Sequence, residues 1–411
     1  MKELLKNKNV WLQWISRSLS RFGDAFETLA LTYLVYDLTG SALAMGTIMI
    51  FSMVPNILIS PIAGVIVDRY DKKKILFISE MARTLLIFII PMFMFMGILE
   101  FWHVCIISAA VSIAESFYEP GSGIVFKLIV RDDQLPLLNS LTTTTNSIMR
   151  MIGYALSTTV MLLVGKEVIF IADSITFLIS ALSSLFLTIP KLEANKIEKV
   201  KELYTDFTDG LKYIRAQKFI IIILIAYFLI DAIGTPISNF MPILTENFLK
   251  LDMVWAGYLL TITSVGSIIG SMLLPILMNT KLKLQQVFLI TFLLLGIIIA
   301  IPCYVPGITS AIILFFMVGV ISPIVSSWGM TYIQINCNTK YLGRVYSVIN
   351  VAILASIPLA AAIVGWAVDV YSLKLVFKIT ALISIISSVV LKVLMKKNEI
   401  SKNVENEAVN S

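Results

Sequence analysis

The chain has 411 residues, of which 58% are hydrophobic and only 14% are charged. Soluble domains are about 45–50% apolar and about 25% charged, so this composition excludes a soluble globular protein of this size. It also excludes intrinsic disorder, because a disordered chain is poor in apolar residues. The sequence therefore predicts a protein with several membrane-spanning segments.

Several classes of chemistry are excluded by residues that the chain lacks. Three cysteines and one histidine are too few for a disulfide framework, a histidine metal cluster or a Ser-His-Asp triad. The sequence contains no G-x-x-x-x-G-K-[ST] pattern to hold ATP phosphates. The net charge of +6 does not indicate nucleic-acid binding, since the basic residues lie in short connections between apolar runs. We expect no enzyme activity, no catalytic residues, no cofactor, no metal and no nucleotide.

The apolar runs have the length of transmembrane helices. A helix needs roughly 20 apolar residues to cross a hydrocarbon core, and strands of a membrane barrel would alternate over about ten residues. The runs predict twelve helices, at 11–36, 43–67, 75–99, 102–126, 139–164, 168–189, 219–244, 253–278, 287–305, 308–332, 342–368 and 375–395.

One long polar stretch between Pro190 and Lys218 divides these runs into six plus six. We predict an N-terminal six-helix bundle at 1–190, a cytoplasmic linker at 191–217, a C-terminal six-helix bundle at 218–397 and a polar cytoplasmic tail at 398–411. Lysines and arginines are concentrated in alternate connections and at both ends, which by the positive-inside rule predicts that both termini are cytoplasmic. Segments 135–140 and 341–347 open the fifth and eleventh runs at equivalent places, which suggests two parallel repeats.

The connection after the second predicted helix carries a recognisable pattern. Residues 64–74 read GVIVDRYDKKK, which resembles the G-x-x-x-D-R-x-G-R-K loop of the major facilitator superfamily. Asp71 replaces the second glycine, as in the loop of the macrolide-efflux and enterobactin-exporter branch. Segments 38–42 (LTGSA), 189–192 (IPKL) and 341–345 (YLGRV) are also similar to that branch. The resemblance implies an all-α membrane protein of twelve transmembrane helices in two parallel six-helix repeats, with the substrate site between them.

The same loop has a physical interpretation as a cytoplasmic gate. Gly64 would let a neighbouring helix approach closely. Asp68 could accept a hydrogen bond from the N-terminus of another helix, or pair with Arg69. The alternative, a plain positive-inside loop, explains the basic residues but not Gly64 and Asp68 at this spacing. The predicted gate residues are Gly64, Asp68, Arg69, Lys72 and Lys73.

Ionisable residues within the predicted helices need a reason, because each costs about 2.5–3.5 kcal/mol at the centre of a span. The first helix carries four of them, Arg17, Arg21, Asp24 and Glu27, at steps of four, three and three, which places them along one helical face. The fourth carries a similar polar stripe of Ser108, Ser112, Glu115, Glu119 and Ser122.

The fifth predicted helix contributes Arg150, which lies near the depth of Glu115 and is expected to form an ion pair with it. The first, fourth and fifth helices would then wall one aqueous cleft. Four acids against three arginines on these faces leave at least one carboxylate unpaired, which predicts a group that takes up and releases protons. The alternative is that the charges are structural pairs. The predicted proton-coupling and ion-pair network is Asp24, Glu27, Glu115, Glu119, Arg150 and Arg21.

The C-terminal half is much poorer in buried charge. Asp231 in the seventh predicted helix is its one deep carboxylate, and Thr235 and Ser238 follow on the same face. Pro236 is expected to break the helix there and to expose backbone carbonyls to a cavity. Asp231, Thr235 and Ser238 are candidates for the substrate cavity, although a local pair is an equal alternative for Asp231.

Together these patterns predict a secondary active efflux transporter in the plasma membrane. The expected partners are a lipophilic or amphipathic small molecule such as a macrolide, protons exchanged against it, and the lipid bilayer. The transporter is expected to act as a monomer. The alternatives are a dedicated siderophore or metabolite exporter of the same fold, or a membrane sensor that does not transport.

Overall fold

The computed structural model describes residues 7–131, 134–189, 211–278, 280, 282–337 and 339–410. Within these ranges the chain forms twelve long α-helices and one short π-helix, and no β-strand. The helices are α1 (Lys8–Thr39), α2 (Ala42–Arg69), α3 (Lys72–Met96), α4 (Phe101–Ile129), α5 (Leu135–Val164), α6 (Lys166–Leu185), α7 (Lys218–Ser238), the π-helix (Ile243–Phe248), α8 (Val254–Met278), α9 (Leu284–Tyr304), α10 (Ile308–Asn336), α11 (Thr339–Val370) and α12 (Leu373–Asn410).

Ten of the helices are long and apolar enough to cross a membrane, by length and composition. The other two are α1, which carries six residues of the types Asp, Glu, Lys and Arg, and α11, whose described apolar stretch Leu354–Val370 is shorter. The prediction of an all-α membrane protein is therefore confirmed. Most observed helices extend a few residues beyond the predicted runs, because helix termini continue past the apolar part of the sequence.

The seventh helix differs from the prediction. The apolar run predicts a helix through residue 244, but α7 ends at Ser238 and the π-helix begins at Ile243. Pro242 has no backbone N–H to donate to the carbonyl of Ser238, so the α-helical ladder cannot continue. The expected break at Pro236 is wrong, since Pro236 lies inside α7.

The two sets of six helices repeat the same pairings. In the first set α1 packs against α5 and α6, and α3 packs against α4 and α6. In the second set α7 packs against α11 and α12, and α9 packs against α10 and α12. Each helix pair in the second set thus matches a pair in the first set whose numbers are lower by six. This is the pattern expected of two six-helix repeats.

Small residues permit another pairing in the second set. A Cβ at Gly266 or Gly270 of α8 would collide with the backbone of α10 at Phe316 or Val320. Gly319 of α10 likewise lies against the carbonyl of Thr263. Helices in lipid associate through such close backbone approaches, because no hydrophobic driving force pushes them together. The corresponding pair in the first set, α2 and α4, is also in contact.

Contacts between Cα atoms divide the chain into two compact units. The first comprises Met1–Ile197 with Asp252–Thr261, and the second comprises Glu198–Leu251 with Ile262–Ser411. One apolar core cluster of the first unit involves α1, α3, α4, α5 and the segment after α6; its buried members are Val10, Leu76, Tyr118, Val125, Phe126, Ile129, Leu138 and Leu187. The predicted linker 191–217 lies largely outside the described residues, and 211–216 is helical.

Candidate functional site

The polar face of α1 is the starting point of the site. Arg17, Arg21, Asp24 and Glu27 belong to one continuous helix, so their spacing brings them onto one side, as the sequence predicts. The polar stripe of α4 lies opposite. An ionisable side chain in this environment is stable only when a partner compensates its charge, and α4 supplies partners for both arginines of α1.

Arg17 and Arg21 bind the acids of α4. The Arg17 guanidinium donates to Oε2 of Glu119 at 2.8 Å and to the Ser122 hydroxyl at 2.8 Å. Arg21 forms ion pairs with both Glu119 and Glu115, the latter at 3.5 Å. Arg21 also contacts Asp24 one turn later on α1, at 3.2 Å. These contacts join the polar stripes of α1 and α4 directly, through arginines of α1 and acids of α4.

A third arginine enters from α3. Arg83, whose side chain is only 4% exposed, contacts Oδ1 of Asp24 at 2.5 Å and Oε1 of Glu80 at 3.4 Å. Its guanidinium also lies over the ring of Phe177 on α6, 3.8 Å from the ring centre, a cation–π geometry. Ser20 of α1 donates to Glu80 at 3.1 Å. Asp24 thus bridges Arg21 and Arg83, and it couples α1 to α3.

These charges border one cavity of about 250 Å³. Five of its lining residues are ionisable, and four helices contribute to its wall. The lining residues are Arg21, Asp24, Glu27, Thr28 and Leu31 of α1, Met49 and Ser52 of α2, Arg83 and Ile87 of α3, and Ser108, Val111, Ser112 and Glu115 of α4. In the described part of the chain, no set of His, Cys, Asp and Glu is arranged to hold a metal ion. We refer to this space as the charged cavity.

The expected contribution of the fifth helix is wrong. Arg150 is exposed and contacts no carboxylate among the described residues, and α5 contributes no lining residue to the charged cavity. The partner of Glu115 is Arg21 on α1 instead. Because α5 packs against α1 at Gly153, a Cβ there would meet the backbone of α1 at Phe22 and Phe26. Gly153, three residues after Arg150, is thus the part of α5 that α1 covers.

Three residues of the cluster were not predicted as site residues: Arg83, Glu80 and Asp173. Each is an ionisable residue within an apolar run, which is itself the signal that could have identified them. The spacing of Glu80 and Arg83 by three residues on α3 also places them on one face. Which face meets α1 is decided by packing, and the sequence of α3 alone does not reveal it.

Glu27 and Asp173 lie together beside this network without an arginine. Asp173 of α6 lies against α1 at Gly23, one turn before Glu27, and Glu27 lines the cavity wall. Asp173 is fully buried, and its Oδ2 has no hydrogen-bond donor in the described part of the chain. The three arginines of the cluster, Arg17, Arg21 and Arg83, contact other carboxylates.

The predicted gate loop is only partly described. Lys72 is buried at the start of α3 and Lys73 is half-buried, while the side chains of Asp68 and Arg69 lie outside the described part. A Cβ built at Gly64 meets no described atom within 4 Å, so the expected close approach of a helix is wrong here. The departure from the family pattern has a structural reason: the Asp71 carboxylate caps α3 by accepting from the N–H of Lys73 at 2.9 Å.

The candidate residues of α7 are only partly available to a ligand. Asp231 accepts a hydrogen bond from the Ser356 hydroxyl of α11 at 2.5 Å and forms no ion pair with any described residue. Thr235 is buried, and its hydroxyl donates to the carbonyl of Asp231 within the same helix. The exposed Ser238 donates to the carbonyl of Gly234. Asp231 is therefore the one member of this set that can carry a negative charge, and Ser356 binds one of its two carboxylate oxygens.

A second cavity, of about 310 Å³, lies on the apolar part of α7. Its wall contains no charged residue. The lining residues are Ile221, Leu224, Ile225, Tyr227, Phe228 and Leu229 of α7 and Ala352 of α11. The Tyr227 hydroxyl donates to the carbonyl of Ser326 at 2.6 Å, so its polar atom is already satisfied. We refer to this space as the apolar cavity.

Comparison with known proteins places this architecture in a family. Residues 14–361 match the Major Facilitator Superfamily. Macrolide efflux protein A of Streptococcus pyogenes is 22% identical over 350 residues, which covers 84% of this chain and 86% of that protein. The Staphyloferrin A transporter of Staphylococcus aureus is 23% identical over 404 residues, covering 94% and 96% of the two chains.

Solved structures show the same fold. The nucleoside transporter NupG superposes with a TM-score of 0.75 at 14% identity, covering 95% of this chain and 99% of that one. A bacterial homologue of the iron transporter ferroportin, in an inward-facing state, superposes with a TM-score of 0.73 at 14% identity, covering 95% and 98%. With the family match, the helix pairing and the spans in agreement, this chain belongs to the major facilitator superfamily, and it is a membrane transporter and not an enzyme.

Proposed function

We propose that this transporter exports lipophilic or amphipathic small molecules in exchange for protons, by alternating access. The observation that carries the proposal is the charged cavity, where Asp24, Glu27 and Glu115 share one space with Arg21 and Arg83. Acids outnumber arginines along its wall. Coupling of this kind needs an acid that can be neutralised by a proton in one state and by an arginine in another.

The geometry offers such an exchange of partners. Asp24 contacts two arginines on two helices, and Arg21 contacts three carboxylates. When a proton neutralises one of these acids, the arginine that had paired with that acid is free to bind another acid more strongly. A change of charge can thereby change which helices are tied together, because the ion pairs join α1 to α3 and α4.

The energy available is sufficient. Each elementary charge that moves down a potential of 100 mV supplies about 2.3 kcal/mol. A tenfold concentration ratio costs about 1.4 kcal/mol. With the pH difference added, one or two protons per substrate therefore suffice for a gradient of roughly a hundredfold or more.

The substrate class rests on the second unit and on the relatives. The apolar cavity of about 310 Å³ carries no charge along its wall, which suits a lipophilic surface. Proteins named for macrolide efflux match most of the chain. We place the transporter in the plasma membrane as a monomer with both termini cytoplasmic, and we assign Asp68, Arg69, Lys72 and Lys73 to a cytoplasmic gate.

The coupling is tested in proteoliposomes with an imposed pH gradient and a substrate panel that includes a macrolide. We expect Asp24→Asn and Glu115→Gln, singly and combined, to lower proton-driven transport at least roughly tenfold, equivalent to about 1.4 kcal/mol. Exchange of substrate without a gradient should fall much less. Glu246→Gln is the matched control, because Glu246 is an exposed carboxylate of the second unit.

If neither substitution, alone or combined, alters proton-driven transport, the assignment of coupling to this cavity is wrong. The same panel separates the alternatives of substrate. A dedicated exporter of a siderophore or peptide metabolite is suggested by relatives named Staphyloferrin A transporter and putative bacilysin exporter. Such an exporter would move a chelator or peptide and leave macrolide sensitivity unchanged when its gene is deleted.

A further inference from the structure

The two acids that no arginine neutralises lie next to each other. The Asp173 carboxyl of α6 lies against α1 at Gly23, and Glu27 lies one turn later on the same face of α1. A carboxylate can only accept a hydrogen bond, so neither ionised group can donate to the other. Two ionised carboxylates on neighbouring helices in a buried site would repel each other strongly. A single proton removes the conflict, because the protonated carboxyl becomes a donor to the other.

The burial of Asp173 supports a shared proton. The side chain is 0% exposed, and its Oδ2 is buried without a donor among the described residues. Its Oδ1 accepts from the Thr176 hydroxyl at 3.3 Å. A buried polar atom without a partner is costly, and the cost is larger when the group is charged. The proton that Glu27 and Asp173 share would supply the missing donor.

A glycine brings the two helices close enough for this contact. At Gly23, one turn before Glu27, a Cβ would collide with Oδ1 of Asp173 and with the Thr176 hydroxyl. Gly23 is itself buried. The absence of a side chain at this position therefore lets the Asp173 carboxyl lie directly against the backbone of α1.

Charged groups on α1, α3 and α4 surround the pair of Glu27 and Asp173. Asp24 of α1, Arg83 of α3 and Glu115 of α4 act on Glu27, and Asp24 and Arg83 act on Asp173. Arg83 forms its ion pairs with Asp24 and Glu80, so it attracts the pair only from a distance. The interior of α2 carries no ionisable residue, and α5 carries only the exposed Arg150 and Tyr154.

We propose that Glu27 and Asp173 form a carboxyl–carboxylate pair that binds one proton, with Glu27 exchanging that proton with water in the charged cavity. Glu27 lines the cavity, whereas Asp173 is closed off behind it. On binding, a proton from water joins one carboxylate oxygen and the pair changes from two negative charges to one. This assignment rests on the proposed proton-coupled function, and it places the proton beside the arginine network and not within it.

Infrared spectroscopy of the purified full-length protein in lipid tests the proposal directly. A protonated carboxyl has a C=O stretching band that ionised carboxylates lack, and the band shifts in D₂O when water reaches the proton. We expect this band in the wild type, with exchange in D₂O. Asp173→Asn and Glu27→Gln should each remove or shift it, and Glu246→Gln should leave it unchanged.

A band at the wild-type frequency in either pair variant, or no band in the wild type, would overturn the proposal. Both variants replace an acid by a neutral group of the same shape, and Gly23→Ala provides an independent test. The added methyl group should displace the Asp173 carboxyl and shift the band while both acids remain. If the band behaves as expected but no variant alters transport, the proposed proton coupling is wrong and the proposed proton-binding pair is retained. If the wild type shows proton-driven transport but no band, the proposed pair is wrong and the proposed coupling is retained.

Discussion

The two units of this transporter contain cavities of similar size and opposite chemistry. The charged cavity, of about 250 Å³, has five ionisable residues in its wall. The apolar cavity, of about 310 Å³, has none, and the one hydroxyl in its wall is bonded to a backbone carbonyl. Two repeats with the same helix pairing thus have cavity walls of different chemistry. The repeat sets the helix arrangement, and the side chains set the charge of each cavity.

The difference also shows how a membrane protein tolerates charge. In the first unit, six acids and three arginines lie on neighbouring helices, and most of them compensate one another across helix boundaries. In the second unit the carboxylate of Asp231 has a serine hydroxyl, and no cation, as its partner among the described residues. Charges in low dielectric are tolerable as a cluster, because each additional partner offsets part of the desolvation cost of the others.

The strongest test of this contrast is removal of the buried arginine. Arg83→Met should destabilise the protein by about 3–5 kcal/mol, because it leaves the fully buried Glu80 without its cation and leaves Asp24 with only one of its two arginines. The measurement is the thermal unfolding midpoint of the purified protein. Arg150→Met is the matched control on α5, since Arg150 is exposed and contacts no described carboxylate. Equal shifts for the two variants would contradict the role given to the cluster.

An intermediate effect is expected from the lone acid of the second unit. Asp231→Asn should weaken the apparent affinity for a cationic substrate by roughly tenfold, or about 1.4 kcal/mol, since one anionic acceptor is lost. It should leave the dependence on the pH gradient intact, because Asp231 is not a member of the arginine network. Transport assays at varied substrate concentration with and without a gradient measure both quantities. A loss of gradient dependence would show that coupling is not confined to the first unit.

The smallest effect is expected from an ion pair at the end of α1. Lys166 at the start of α6 pairs with Asp37, whose side chain is 52% exposed. Exposed pairs contribute about 0.2–1 kcal/mol, so Asp37→Asn should barely change the unfolding midpoint. A change in the unfolding midpoint comparable to that of Arg83→Met would contradict the expectation that buried ion pairs contribute more to stability than exposed pairs in this unit. Added salt should reduce whatever effect is seen, since exposed charges are screened.

The amino-acid sequence determined the class of protein and its division into helices. Apolar runs of membrane length, the polar break after residue 190 and the loop at 64–74 suffice for these conclusions, because each is a local property of the chain. The one clear failure of span prediction, at the end of α7, occurs where Pro242 interrupts hydrogen bonding inside an apolar run. A hydropathy profile reflects side-chain polarity, so it does not detect the missing backbone hydrogen bond.

Within the site, the sequence predicted the residues that share a helix but not those that meet across helices. The stripes of α1 and α4 follow from a period of 3.6 residues, and in the structure ion pairs of Arg17 and Arg21 with Glu119 and Glu115 join them. Arg150 was assigned to Glu115 because both lie at a similar depth, but depth does not specify rotation about a helix axis. Only the packing of α1 and α3 against α6 decided that Asp24 meets Arg83 and that Asp173 lies against α1 one turn before Glu27. The physical reason is that helix periodicity is encoded locally, whereas the partner of each face depends on close contacts such as the one at Gly23.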